Sequence, residues 1–319
     1  MADLAIDRGQ NHGRELEVEL LLGTIIRLTG TSLMGLARPL LQRRLVDYLV
    51  SNGVDRPAEL IPRVVAEPAQ LELLVDAILV KTTALFRDVS FYRRFRQQVV
   101  PYLQTYPRIR LWDVGCSTGL ETYSLAIVLE EEGVGERAMI FGTDINRHAL
   151  QQADKRVHPR LDLEASESRY RSAGGTRSLA YYLERGVGEG VRFRAQVTRN
   201  VAFARHDVAT DASIGVMNVV ICRNVLIYLA NEQRRAALAL LDRSLQPNGF
   251  LVLGETDELQ SDAVAGHYQE IATATRIYQR RSPEACVRRH AVLPRRIVED
   301  TVSMPPIELA RPPAGNRES

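Results

Sequence analysis

A change of rhythm near residue 107 restricts the fold more than anything else in this 319-residue chain. Beyond it, short apolar runs (Ile109–Val114, Met139–Thr143, Val201–Arg205, Val216–Cys222 and Phe250–Gly254) alternate with helical stretches that open at Thr118, Asn146 and Asn231. A helix between two strands carries the chain back to its starting edge, so the spacing predicts a parallel, doubly wound α/β sheet. Open sheets of this kind bind ligands just beyond the carboxyl ends of their strands. Two distinctive stretches fall at such ends. One is the Gly-rich turn Gly115-Cys116-Ser117-Thr118-Gly119; the other is Cys222-Arg223-Asn224-Val225-Leu226-Ile227-Tyr228, where an apolar strand empties onto Arg, Asn and Tyr. Polar groups placed there point to an enzyme.

The remainder of the chain reads differently. Residues 16–105 contain no convincing strand; Leu41, Leu45, Tyr48 and Leu49 recur on one side of a helix, and turn signals such as Ser51-Asn52-Gly53 separate the helices. The expected organisation is a helical domain over 16–90, a linker helix over 91–105 and a sheet domain over 106–282. Within the last, residues 179–197 interrupt the alternation, and Val191, Phe193, Ala195 and Val197 alternate as in an inserted antiparallel hairpin. Residues 283–319 hold six of the 14 prolines and no sustained periodicity, which predicts a disordered tail.

Composition narrows the function. A net charge of +2 offers no basic excess for nucleic acid. No apolar stretch reaches the roughly 18–20 residues needed to span a bilayer, and the N-terminus lacks a basic region followed by an apolar one, so a cytoplasmic protein without membrane insertion is expected. Cys116, Cys222 and Cys286 are widely spaced and have no ligand-like partners, so neither a disulfide framework nor a metal site is expected.

The Gly-rich turn brings backbone N–H groups close to a ligand, yet it lacks a full G-x-G-x-x-G and a following Lys. A nucleoside without phosphate fits better. Asp144, ending the second strand, can accept both hydroxyls of a ribose, or it can cap the helix that follows. Thr118-Gly119-Leu120-Glu121 has the pattern of a capping box, in which Glu121 would only tie off the helix start. Arg87 stands beside Asp88, and a surface ion pair is the usual fate of such a residue.

Together these pieces resemble the CheR family, which transfers methyl groups from S-adenosylmethionine to glutamate side chains of membrane chemoreceptors. The resemblance runs from about residue 18 to 281. It rests on Thr83-Ala84-Leu85-Phe86-Arg87 against the family's Thr-x-Phe-Phe-Arg, on the Gly115–Ser124 loop, on Thr143-Asp144-Ile145, on Gln246-Pro247-Asn248-Gly249, and on Cys222–Tyr228, which matches the family without change. It implies a Rossmann-like methyltransferase sheet with an inserted hairpin subdomain, preceded by a small helical domain. It further implies catalytic roles for Arg87 and Tyr228. Thr83, Arg87, Gly115, Ser117, Glu121, Asp144, Arg223 and Asn224 would bind S-adenosylmethionine, and Asp207-Val208 would stand where the family places the Asn-Leu pair that frames adenine. The cytoplasmic helices of a chemoreceptor are the implied partner. The hairpin would contact the receptor, but its turn, Gly186-Val187-Gly188-Glu189-Gly190, is shorter than in members that grip a tethering peptide. Leu120 replaces the first Glu of the family loop and Thr122 its Pro. Leu120 and Asp207 favour an alternative, a non-catalytic S-adenosylmethionine-binding docking module, but such a module has no chemical need for Arg87 or Tyr228.

Overall fold

Of the six residues in Ile109–Val114 (β1), Arg110 alone is exposed, a pattern that belongs at the centre of a sheet. A computed structural model places β1 there. The structure describes residues 2–29, 38–78, 83–158, 161–186, 190–255, 257, 259, 262–272 and 275–281. The expected disordered tail and the turn at 187–189 lie outside them.

Four helices open the chain: α1 (Ala2–Thr29), α2 (Arg38–Ser51), α3 (Leu60–Ala66) and α4 (Pro68–Ile78). Leu21, Ile25, Leu41, Leu45, Leu49, Leu74 and Ile78 close a separate apolar core between them. The stretch expected as one linker helix is α5 (Val89–Arg94), a π-helical turn over Phe95–Val99 and α6 (Val100–Leu103). Pro101 has no N–H for an ordinary helical bond, and the Val100 N–H reaches back five residues to the Phe95 carbonyl.

The sheet domain continues with α7 (Leu120–Glu131), β2 (Ala138–Asp144), α8 (Arg147–Lys155), β3 (Val157–His158), α9 (Leu163–Ser172), β4 (Leu183–Arg185), β5 (Val191–Phe193) and α10 (Ala195–Thr198). It ends with β6 (Val201–Arg205), β7 (Met217–Cys222), α11 (Asn231–Arg243), β8 (Leu245–Leu253), β9 (Tyr268–Ala272) and β10 (Ile277–Arg280). The seven-stranded sheet has the order β6-β2-β1-β7-β8-β10-β9, and β10 runs against both of its neighbours. The expected parallel, doubly wound sheet is therefore present with one reversed strand near an edge. No described helix is long and apolar enough to cross a membrane.

The insertion differs from a simple hairpin. Val157–His158 adds a third strand, giving the order β3-β5-β4. The strand pattern expected through Val197 stops at Phe193, where Arg194 heads a helical turn, its N–H donating to the Tyr182 carbonyl and its Nε to that of Leu183. Ala195–Thr198 then closes a helical turn.

Candidate active site

Strands β1 and β7 lie side by side with Trp112 opposite Val220 and Asp113 opposite Ile221, so the two motifs at their carboxyl ends emerge next to each other. The Gly-rich turn is bent tightly at Gly115, where φ is +72° and a Cβ would stand 2.3 Å from Val225 Cγ2. A side chain there would drive the two motifs apart. The Gly115 and Cys116 N–H groups both donate to the Thr143 carbonyl (2.7 and 2.9 Å), tying the turn to β2. Ser117 is left-handed (φ +52°), and its N–H donates to Asp144 Oδ2 at 2.8 Å.

Asp144 does not cap α8. Asn146 does, accepting from the Ala149 N–H, while the other Asp144 oxygen accepts from the Asn146 N–H at 2.8 Å. Backbone donors thus aim this carboxylate along the edge of the turn. The capping box also fails to form: the N-cap of α7 is Gly119 (φ +83°), without a side-chain cap. Glu121 turns toward Arg223 instead, and its Oε2 accepts from Nη1 at 2.9 Å.

Arg223 organises the site. Its side chain is 2% exposed, with the guanidinium 4.4 Å above the Phe91 ring. The fork reaches Glu121 with one nitrogen and Asp88 with the other. Burial opposes the charge, but Glu121, Tyr92 and Asp88 outweigh it and raise the pKa, so the cation is held. Burial raises the Glu121 pKa, and Arg223 works against the rise.

The third wall comes from the segment before α5. Phe86 and Asp88 both adopt left-handed backbone (φ +53° and +61°), a conformation that costs a bulky residue about 1–3 kcal/mol and persists only where surroundings impose it. Those surroundings are visible. The Phe86 N–H donates to Ser124 Oγ at 3.0 Å, Arg169 Nε donates to the Leu85 carbonyl at 2.8 Å, and the Phe86 ring packs on Tyr92 and Tyr170. Arg87 lies between these anchors, half-buried.

Thr83, Arg87, Gly115, Ser117, Glu121, Arg223, Asn224 and Tyr228 line one cleft that is partly open to solvent. Asp144 borders it through Ser117. Asp207 and Val208 do not line it. They follow β6 on the far side of β2, where Asp207 Oδ1 accepts from the Ala209 N–H and Val208 packs into the core with Trp112. Leu120 is a core residue, so the family's first Glu is replaced here by packing.

Two carboxylates escaped the sequence reading. Asp113 lines the same cleft yet is 2% exposed, accepts from the Thr122 hydroxyl, and is pushed well above the ordinary carboxylate range by burial and by Glu121. A lone acid in the apolar run Leu111-Trp112-Asp113-Val114 was the available signal. Asp257, fully buried, accepts from the Asn224 and Gly254 N–H groups (3.1 and 3.2 Å) and so holds the left-handed Asn224 in place. Nothing in its local sequence marks that role.

Residues 81–275 match the family model described as CheR methyltransferase, SAM binding domain. The chain is 33% identical to Cher3 of Pseudomonas putida over 83% of its own length and 97% of that protein's. It is 29% identical to chemotaxis protein methyltransferase 1 of Pseudomonas aeruginosa, covering 76% of this chain and 89% of the other. With the chemotaxis protein methyltransferase of Listeria innocua the identity is 27%, over 71% of this chain and 84% of that one.

Proposed function

The chain belongs to the CheR family of S-adenosylmethionine-dependent chemotaxis methyltransferases, and on that premise we propose that it forms methyl esters on glutamate side chains of a chemoreceptor. The observation that carries this reading is the position of Arg87: it arises outside the sheet, yet shares a cleft with Tyr228 and with the Gly115 turn.

The residues suit the cofactor. Ser117, on the cleft wall, keeps a buried hydroxyl without a hydrogen-bond partner among the described residues, and Glu121 offers a carboxylate to a cationic ligand. Thr83, Gly115, Ser117, Glu121, Asn224 and Asp144 would hold it, with Arg223 fixing Glu121. When bound, S-adenosylmethionine supplies an electrophilic methyl group on a sulfonium.

A glutamate side chain has a reference pKa of about 4.3, so at neutral pH it is already the nucleophile and needs no general base. The protein's task is placement. Arg223 is committed to Glu121 and Asp88. Arg87 lines the same cleft and, in the role the family resemblance gives it, would hold the incoming carboxylate by charge-assisted hydrogen bonds. Tyr228, which lines the same cleft, would confine the carboxylate to one approach line, and in-line placement supplies a large share of such a rate enhancement. Neutralisation of an anion by a cation is favoured where water is excluded, which the apolar Val225 and Phe91 around the turn and Arg223 promote.

Methyl-tritiated S-adenosylmethionine, incubated with the protein and chemoreceptor-bearing membranes of the source cell, tests the proposal. Base-labile label on a receptor, lost when its acceptor glutamates are replaced by Gln, is the expected result. Base-stable label would mean nitrogen or carbon methylation and would overturn it.

A further inference from the structure

Arg87 is the residue of its segment that the proposed chemistry sets against the substrate carboxylate, and the protein fastens its neighbours on both sides. On the N-terminal side, Phe86 is held by Ser124 from α7. On the C-terminal side, Asp88 is held by Arg223 from the end of β7. Arg223 is the same guanidinium that holds Glu121, so one buried cation joins the wall that carries Arg87 to the wall that carries the cofactor carboxylate.

We propose that Asp88 is a positioning residue: its ion pair with Arg223 sets where Arg87 stands relative to the bound cofactor. The inference rests on the reading of Arg87 given above. Three features of the geometry support it. Asp88 lies at a left-handed position immediately after Arg87, so its side chain and the Arg87 backbone cannot shift independently. Its partner is fixed by the Phe91 ring and by Glu121, and therefore cannot follow a displaced loop. The Arg87 N–H donates to the Ala84 carbonyl at 3.3 Å, so Arg87 belongs to a tight backbone turn that Asp88 directly follows.

Asp88→Gly removes the anchor while leaving the left-handed backbone accessible, since glycine adopts positive φ freely. Asp88→Asn keeps an acceptor and tolerates the same backbone. The full-length variants would be assayed with methyl-tritiated S-adenosylmethionine and receptor membranes, with S-adenosylhomocysteine affinity by calorimetry and melting temperature measured alongside. Asp88→Gly should lower kcat by about tenfold to a hundredfold, the range expected for misplacement of about an ångström. Homocysteine-product affinity should stay within about threefold, because the cofactor contacts of Glu121 and Ser117 remain, and Asp88→Asn should fall between Asp88→Gly and wild type. A decisive readout is the double variant: in an Arg87→Ala background, Asp88→Gly should cost nothing further, as residues acting through one group are not additive. Wild-type kcat in Asp88→Gly overturns the inference. So does a kcat loss that tracks lost affinity or melting temperature, or a further tenfold loss in the double variant. If Arg87→Ala alone keeps wild-type turnover, the reading of Arg87 fails; if it loses turnover while Asp88→Gly does not, the positioning role alone fails.

Discussion

Two arginine–carboxylate networks in this molecule use the same chemical groups to opposite ends. In the helical N-terminal unit, Arg56 pairs with Glu17 across α1 and the α3 approach, with the arginine 69% exposed. Beneath the cleft, Arg223 pairs with Glu121 and Asp88 and is 2% exposed. The guanidinium of the first pair competes with water and salt, which weakens its hold on Glu17. In the second, the guanidinium has almost no solvent to fall back on, so it depends on both of its carboxylates. Burial, not the identity of the ions, decides which pair shapes a site.

The comparison can be broken most directly at its buried end. Arg223→Met should destabilise the fold by about 3 kcal/mol, the low end for stripping one partner from a buried pair, because Asp88 retains some solvent contact. Urea titration giving wild-type stability would show that the triad is not structural. Arg87→Ala should keep the fold and cofactor binding while losing about a hundredfold in methyl transfer. Unchanged turnover would return Arg87 to the class of ordinary ion pairs, and lost cofactor affinity would move it into the cofactor site. Asp144→Ala removes a carboxylate that backbone N–H groups hold in place, and should weaken S-adenosylmethionine binding by at least about tenfold, since a hydrogen bond to a charged group contributes roughly 1.5–3 kcal/mol. Calorimetry showing wild-type affinity in a folded variant would exclude it from the ribose contacts.

A subtler effect comes from Asp113. Burial raises its pKa in the folded protein, so the folded state binds that proton more tightly than the unfolded chain does. The resulting stability is complete below about pH 4 and is lost as the pH rises through the higher folded value. Asp113→Asn should therefore gain on the wild type as pH increases, measured by denaturation across a pH series; a constant difference would argue against a buried, ionisable Asp113. Arg56→Ala should leave the melting curve within experimental scatter, and a marked shift would remove the contrast between the two networks.

The sheet was legible because its strands are apolar runs cut by helices, a pattern that leaves few topologies open. The Gly115 turn and the Arg223-Asn224 strand end were legible for the same reason, since both are local. What escaped was non-local. Glu121 carries a local capping signature, and nothing nearby reveals that a buried cation arrives from the far end of β7 to claim it. Asp88 and Asp257 likewise acquire their roles from partners distant in sequence. Val157–His158 is too short to show an alternation, so the third strand of the insertion was invisible until Val191 and Arg192 were seen beside it. The reversal of β10 follows from its short connection to β9, which leaves no room for a crossover helix.

The pairing of β1 with β7 also dictates an order of events during synthesis. β1, β2 and α7 leave the ribosome long before residues 217–225, so the nascent Gly115 turn has no Val225 against it and β1 has one open edge. In that interval Glu121 and Asp88 are two like charges awaiting a common cation. The arrival of β7 covers that edge and brings both carboxylates their cation, and Asp257, made later still, fixes Asn224 at the same strand end.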